Sequence, residues 1–278
     1  MTKLINNPLL GTDFELFLKH KETNEIVSAE GLIQGTKYAP FNFDKSNQFF
    51  STSLDNVLAE CCIPPVNNVE GWLANIKKSR DYIESILPAH LCTAATPAAV
   101  LDAKWLSTIN AKTFGCDPDF NAWLKLANES PKADNPNLRS AGAHIHVGYD
   151  LHLLEDGEVD WEKKISLGEN IIKAMDLFVG VPSVIQEPEN DRKKLYGKAG
   201  AFRFKDYGVE YRTASNYYLE SEKLTKWVFG ATIKALDFVN EERIEEVDSV
   251  GGFIQSAINE NDKNLAWQLI RQFDLELA

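Results

Sequence analysis

A chain of 278 residues, 44% apolar and 25% charged, can bury a core of its own and is too apolar to be disordered. Its 41 acidic against 29 basic residues leave a net charge of −12, which repels nucleic acid and anionic lipid. An anionic substrate must therefore be met by local arginine or lysine, or by metal ions.

Cys61, Cys62, Cys92 and Cys116 lack C-x-x-C spacing and read as small core residues of a reduced chain. The N-terminal MTKLINNPLLGTDFE turns acidic too early for a secretion signal. No stretch approaches the roughly 18 apolar residues of a membrane span. These features point to the cytoplasm, with no membrane and no nucleic-acid partner. Without repeats, low-complexity tracts or a Pro/Ser-rich linker, residues 1–278 read as a single domain.

In chain order, residues 11–18 form a strand with Phe14, Leu16 and Leu18 on one face and Asp13, Glu15 and Phe17 on the other. Residues 54–63 form a second, with Val57, Ala59, Cys61 and Ile63 opposing Glu60. Asn67 or Asn68 caps a helix with the stripe Val69, Trp72, Leu73, Ile76, Ile83 and Leu87, stopped by Pro88. Asp117 and Pro118 open a predicted helix carrying Phe120, Trp123, Leu124 and Ala127. A loop over 130–142 leads to a strand at 143–149, where Ala143, Ile145, Val147 and Tyr149 oppose His144 and His146. Asp160 opens a helix with Ile165, Ile171, Ile172, Met175 and Phe178 inward, followed by a loop over 182–200. Phe202 and Phe204 then oppose Arg203, and in the strand 207–213 Val209 and Tyr211 oppose Glu210 and Arg212. Ser221 opens a last helix with Leu224, Trp227, Val228, Ala231 and Val239.

The strands share one plan, an apolar face for helices to cover and a face bearing ions. The fold class is α+β, an antiparallel sheet with helices on one side. A merely solvated face would carry Lys, Thr, Ser and Gln; Asp, Glu, His and Arg stand there instead. Asp13, Glu15, Glu60 and Glu210 are hard oxygen donors suited to Mg²⁺ or Mn²⁺, with one imidazole tolerated among them. Without metal, four clustered carboxylates repel one another. Arg203 and Arg212, with Arg139 and Arg192 in adjoining loops, can fork onto phosphate or carboxylate oxygens. Lys198, in the turn YGKAG at 196–200, is a further candidate phosphate contact, although a plain turn explains it as well. Acids for metal beside arginines for anions suggest phosphoryl transfer. D-x-E alone is a weak signal, His-x-His a moderate one, and E-x-R is equally an ordinary ion pair. His20, His90 and His152 read as surface residues. Walker A, G-x-G-x-x-G and G-x-S-x-G motifs are absent.

GTDFELFL at 11–18, DNVLAE at 55–60, RSAGAHIHVG at 139–148 and DRKKLYGKAGAFRFKDYGVEYRTASN at 191–216 occur in this order. Together they resemble the glutamine synthetase and γ-glutamylcysteine synthetase superfamily, and within it the phage-type carboxylate–amine (COOH–NH2) ligases of type 2. The last two blocks are the specific ones. The resemblance implies a curved antiparallel sheet forming a funnel-shaped site with helices outside. It also implies two or three Mg²⁺ ions, ATP as co-substrate, and an acyl phosphate, made from a small-molecule or peptide carboxylate, that an amine attacks. By position it gives Glu15 and Glu60 to one metal, and Asp13, His144 and Glu210 to another. It brings His146 to the ATP phosphates, Arg212 and Arg203 to the moving phosphoryl group beside Glu210, and Arg139 to the substrate carboxylate. A phage enzyme would work in the host cytoplasm.

The chain departs from this pattern in three ways. Asp13 stands where the superfamily usually has Glu. Asp55 has the wrong parity to join Glu60 unless a bulge intervenes, which leaves one ligand unidentified. The extra N-terminal domain that glutamine synthetase uses between subunits is missing, so dodecamer-like assembly is not expected and the oligomeric state stays open. Two other readings compete with the ligase, a guanidino-group phosphotransferase and a non-catalytic metal-binding module with the same fold. Only Cys61 and Cys62 adjoin the ionic blocks, and the complete acid, His and Arg set argues against a vestigial site.

Overall fold

The computed structural model describes residues 3–112, 119–129 and 134–278. The strand Leu9–His20 is its organising element. Ala143–Gly148 pairs antiparallel with its first half on one side, and Leu58–Cys62 lies on the other. Beyond Ala143–Gly148 come Gly208–Tyr211, Ala201–Lys205 and the short pair Phe120–Asn121 and Leu126–Ala127. Beyond Leu58–Cys62 come Ser51–Asp55 and the edge strands Gly35–Thr36 and Ala39–Asn42. Among the described residues the pairing is antiparallel except between Thr36 and Leu54. The molecule is thus a mixture of helices and a largely antiparallel sheet, as the alternating segments predict.

Phe14, Leu16, Ala143, Ile145, Val147, Val209 and Tyr211 form the apolar face and are buried. The helices Val69–Ile86, Trp161–Met175 and Glu222–Asn240 supply Trp72, Ile76, Ile171, Met175, Val228 and Val239 to the same core. Each begins at the predicted cap. Asn68, Asp160 and Ser221 accept bonds from the backbone N–H groups of Gly71, Lys163 and Leu224. Leu87 is extended, as the following proline requires, and ends the first helix. Full burial of one such apolar side chain contributes about 1.5–3 kcal/mol. Ile165 departs from its predicted inward place and is 44% exposed.

Five further expectations are corrected. The predicted helix after Asp117 is a hairpin between Phe120–Asn121 and Leu126–Ala127, while Asp117 and Pro118 themselves lie outside the described residues. Asn121 Oδ1 accepts from the N–H groups of Trp123 and Leu124, and Lys125 takes a positive φ, so the chain reverses before a helix can propagate. The strand read over 54–63 is likewise two strands, turned at Asn56 with φ 56°. The loop read from 182 begins as the helix Val181–Gln186, and Leu138–Ser140, inside the other predicted loop, pairs with Ala98–Val100. Finally, the ionic face ends at Glu15: Phe17 is buried under Val57, Leu58, Leu101 and Leu106. The helices Ile244–Ser249, Gly251–Asn259 and Lys263–Phe273 add a second apolar cluster against Val181 and Val184. Among the described residues no helix is long and apolar enough to cross a membrane.

Candidate active site

Partners directly opposite in an antiparallel ladder share a face, so the register sets out the ionic face row by row. One row reads Ser53, Glu60, Glu15; the next Cys62, Asp13, His144; a third His146, Glu210, Arg203. The sequence reading of this face therefore holds for Asp13, Glu15, Glu60, His144, His146, Arg203 and Glu210.

The rows gather into two clusters. In the first, oxygens of Glu15, Asp55 and Glu60 lie within 4.8 Å of one another. Asp55 is the third acid of this group, which strand parity had missed. The turn at Asn56 reverses the chain, Ser53 pairs with Glu60, and Asp55, two residues on from Ser53, shares its face. The Gly142 N–H donates to Glu15 Oε2 at 2.6 Å and Ser53 Oγ to Glu60 Oε2 at 2.6 Å. These bonds do not offset the charge. Burial, then the neighbouring Asp55 and Glu60, push the Glu15 carboxyl well up. Burial, with repulsion from Asp13 and Asp55, takes Glu60 to about 7, and burial also raises Asp55.

In the second cluster, ligand atoms of Asp13, His146 and Glu210 also lie within 4.8 Å. His144 Nδ1 stands 2.9 Å from Asp13 Oδ1 and 3.6 Å from Glu210 Oε1. Here the charge is balanced by the protein. Arg212 donates to Glu210 Oε1, Lys205 Nζ is 2.5 Å from Glu210 Oε2, and Arg203 reaches within 3.9 Å. Burial and Asp13 oppose ionisation of Glu210, yet Arg212, His144 and His146 outweigh them and bring it to about 2. For Asp13 burial is likewise overcome by the two imidazoles, which hold it well below the usual carboxylate range.

Arg212 stands beside both clusters. It is 4% exposed, its Nε donates to Asp119 Oδ2 at 3.3 Å, and it shares a small cleft with Glu15, Asp55, Asp119 and His144. Asp119, Lys205 and Tyr207, which hydrogen bonds His146 Nδ1, are site residues the sequence reading did not name. Lys205 had a signal, since it shares strand parity with Arg203; Tyr207 is in the turn between two strands and Asp119 is irregular, and neither had one.

Three predicted anion binders are placed differently. Arg139 lines the cleft, but its guanidinium donates to the carbonyls of Ala111, Pro136 and Leu138 and to Asn56 Oδ1. Arg192 donates to the carbonyls of Ala141, Thr213 and Arg212. Both tie loops to the sheet. Gly197, at φ +73°, is required beside Arg192 because a Cβ there would lie 1.6 Å from Nη1. Lys198 is exposed and lines a different cleft, with Glu187, Asn190 and Lys193.

The donor sets fit divalent cations. Three carboxylates that resist ionisation, Glu15 buried and Asp55 and Glu60 half-buried, are a hard oxygen site in want of a positive charge. The second set offers two carboxylates and His146 Nε2, a buried nitrogen 3.3 Å from Asp13 Oδ1. The sequence reading gave His144 to the metal and His146 to phosphate. Here His146 joins Asp13 and Glu210, while His144 Nδ1 bonds Asp13.

Residues 136–277, just over half of the chain, match the family model described as phage phiEco32-like COOH.NH2 ligase-type 2. The match defines the class, the COOH.NH2 ligases of type 2. The chain belongs to this family. The matched span holds the blocks at 139–148 and 191–216, with His144, His146, Arg203, Glu210 and Arg212. Comparison with curated proteins finds no match. Among solved structures the chain is similar to a bifunctional glutathione synthetase from Pasteurella multocida, at 10% identity and a TM-score of 0.42. The alignment covers 96% of this chain and 49% of that one, so the chain spans about half of its length.

Proposed function

We propose that residues 1–278 act as one Mg²⁺- or Mn²⁺-dependent ligase domain of the glutamine synthetase kind, its sheet curved into a funnel-shaped site. With ATP it forms an amide, peptide-like bond between a small-molecule or peptide carboxylate and an amine, in the host cytoplasm if it is phage-encoded. The observation that carries this reading is the juxtaposition of two acid clusters with Arg212 between them on one sheet face.

Glu15, Asp55 and Glu60 would hold one cation, and Asp13, Glu210 and His146 another. Cations held there would supply positive charge to neutralise the triphosphate. The γ-phosphoryl group passes to an oxygen of the substrate carboxylate and ADP leaves; the amine nitrogen then bonds to the acyl carbon, phosphate departs and the amine loses a proton. Arg212, aimed by Asp119 and Glu210, meets the charge spreading over the phosphoryl oxygens, with Arg203 behind it. His144 orients Asp13. Arg139 and Arg192 shape the cleft wall from below and leave the substrate carboxylate to other donors.

The phosphotransferase alternative needs an activated thiol. Cys62 faces the site beside Asp13, but burial and that carboxylate push its thiol well up, the opposite of activation. The test is phosphate release from ATP by the purified protein with Mg²⁺, screened across amino acids, polyamines and peptides. Release that requires both a carboxylate and an amine supports the ligase. Phosphorylated guanidine without amide would overturn it.

A further inference from the structure

Asp176 is fully buried on the helix side of the sheet, where it opens the π-helical turn Asp176–Gly180 at the end of the helix Trp161–Met175. Its Oδ2 accepts from the Gly200 N–H at 2.6 Å and from Trp123 Nε1 at 2.8 Å. Its Oδ1 accepts from Tyr211 Oη at 2.9 Å and lies 3.1 Å from Thr213 Oγ1, whose one proton is shared with the Lys198 carbonyl at 2.9 Å. All four partners are neutral. A carboxylate in such a place is expensive, and packing alone would be served better by an apolar side chain.

The four donors are the segments that frame Arg212. Tyr211 and Thr213 flank it in the chain. Gly200 precedes Ala201, whose carbonyl accepts the Arg212 N–H at 2.9 Å. Trp123 belongs to the hairpin whose base holds Asp119: Asn128 Nδ2 donates to Asp119 Oδ1 at 2.8 Å, and Asp119 Oδ2 accepts from Arg212 Nε. One buried carboxylate thus grips both the peptide that carries Arg212 and the hairpin whose acid aims its guanidinium.

We infer that Asp176 is the positioning residue of Arg212, locking from the helix side the place that the guanidinium takes on the ionic side. The consequence for turnover rests on the ligase reading; the consequence for Arg212 geometry does not.

The test joins kinetics to a direct view of the guanidinium. Asp176→Asn keeps the volume but turns an amide NH₂ toward N–H and O–H donors. Its kcat for phosphate release from ATP should fall about tenfold or more, with KM for ATP nearly unchanged, because a displaced transition-state donor affects the chemical step. In an Arg212→Lys background the same substitution should cost less than about twofold, the non-additivity expected of groups acting as one. The Arg212 ¹⁵Nε–H resonance, assigned by its loss in Arg212→Lys, should shift and exchange faster in Asp176→Asn. Equal losses of kcat in both backgrounds, or an unmoved Arg212 resonance, would overturn the inference and leave Asp176 a core residue. If Asp176→Asn does not fold, Tyr211→Phe and Thr213→Val carry the same tests, each removing one donor and sparing the carboxylate. If the wild-type protein releases no phosphate under any condition, the ligase reading fails, and the resonance alone decides whether Asp176 positions Arg212.

Discussion

The two acid clusters stand side by side on one sheet face and solve the same electrostatic problem in opposite ways. Glu15, Asp55 and Glu60 face one another, and burial and mutual repulsion outweigh the pull of Lys37 and Arg212, so their carboxyls are all pushed up. Asp13 and Glu210 sit among His144, His146, Lys205 and Arg212, and theirs are pulled down. The first cluster has too little positive charge of its own; the second brings its own, with His146 Nε2 3.3 Å from Asp13 Oδ1. The clusters therefore differ in what they lose when a charge is altered, and that difference can be measured.

The largest effect is expected where the second cluster's own cation is changed. Arg212→Lys keeps the charge and loses the fork, so kcat for ATP turnover should fall roughly a hundredfold or more with little change in KM. Arg212→Met should instead destabilise the fold by up to about 3 kcal/mol, because it leaves only the partly exposed Lys205 and Arg203 opposite the buried Glu210 charge. If Arg212→Lys turns over normally, the guanidinium only balances Glu210.

In the first cluster the expected sign is reversed. Millimolar Mg²⁺ should stabilise the wild-type protein by about 2–4 kcal/mol, the linkage of a ligand well above its Kd. Glu60→Gln should remove most of that gain while leaving the metal-free protein as stable as before, or more so. Thermal unfolding with and without Mg²⁺ measures both, and a melting temperature indifferent to Mg²⁺ and Mn²⁺ would break the contrast.

The pH response sharpens it further. Glu60 binds its proton more tightly folded than unfolded, with a folded pKa of about 7 against an ordinary 4.5. Its contribution is therefore present below pH 4.5 and is lost as pH rises to about 7, a loss on the order of 2 kcal/mol without metal. Glu210, at about 2, behaves oppositely: its contribution is present above pH 4.5 and lost as pH falls toward 2. Denaturant titrations of metal-free protein should show Glu60→Gln flattening the upper slope and Glu210→Gln the lower. The smallest effect belongs to Lys205→Gln. That side chain is partly exposed, and its loss should cost about 1 kcal/mol or less in the same titrations.

Much of this was legible in the sequence because a strand writes its faces into residue parity. Asp13, Glu15, His144, His146, Arg203 and Glu210 were placed by that rule, and the helices of the core by their caps and stripes. Asp55 was hidden because parity holds only within one strand. At Asn56 the chain reverses, and the residues that then share a face, such as Ser53 and Glu60, differ in parity. Asp and Asn side by side are turn formers and were the available clue. The stripe Phe120, Trp123, Leu124 and Ala127 imitated a helix, yet Leu124 is 63% exposed and Trp123 Nε1 is committed to Asp176, a contact made across 53 residues. Arg139 and Arg192 carried the right chemistry for anions, but unsatisfied loop carbonyls claimed their donors, and no local pattern reveals such a demand.

The most direct test of the central claim, that this face transfers the γ-phosphoryl group of ATP to a carboxylate, follows an oxygen. Carboxylates labelled with ¹⁸O are incubated with ATP, Mg²⁺, an amine pool and the wild-type protein, and the phosphate released is analysed by mass. An acyl phosphate leaves one carboxylate oxygen in the phosphate, so label should appear there in step with amide formation, and should all but vanish with Arg212→Lys. Phosphate carrying oxygen from water alone would contradict the account.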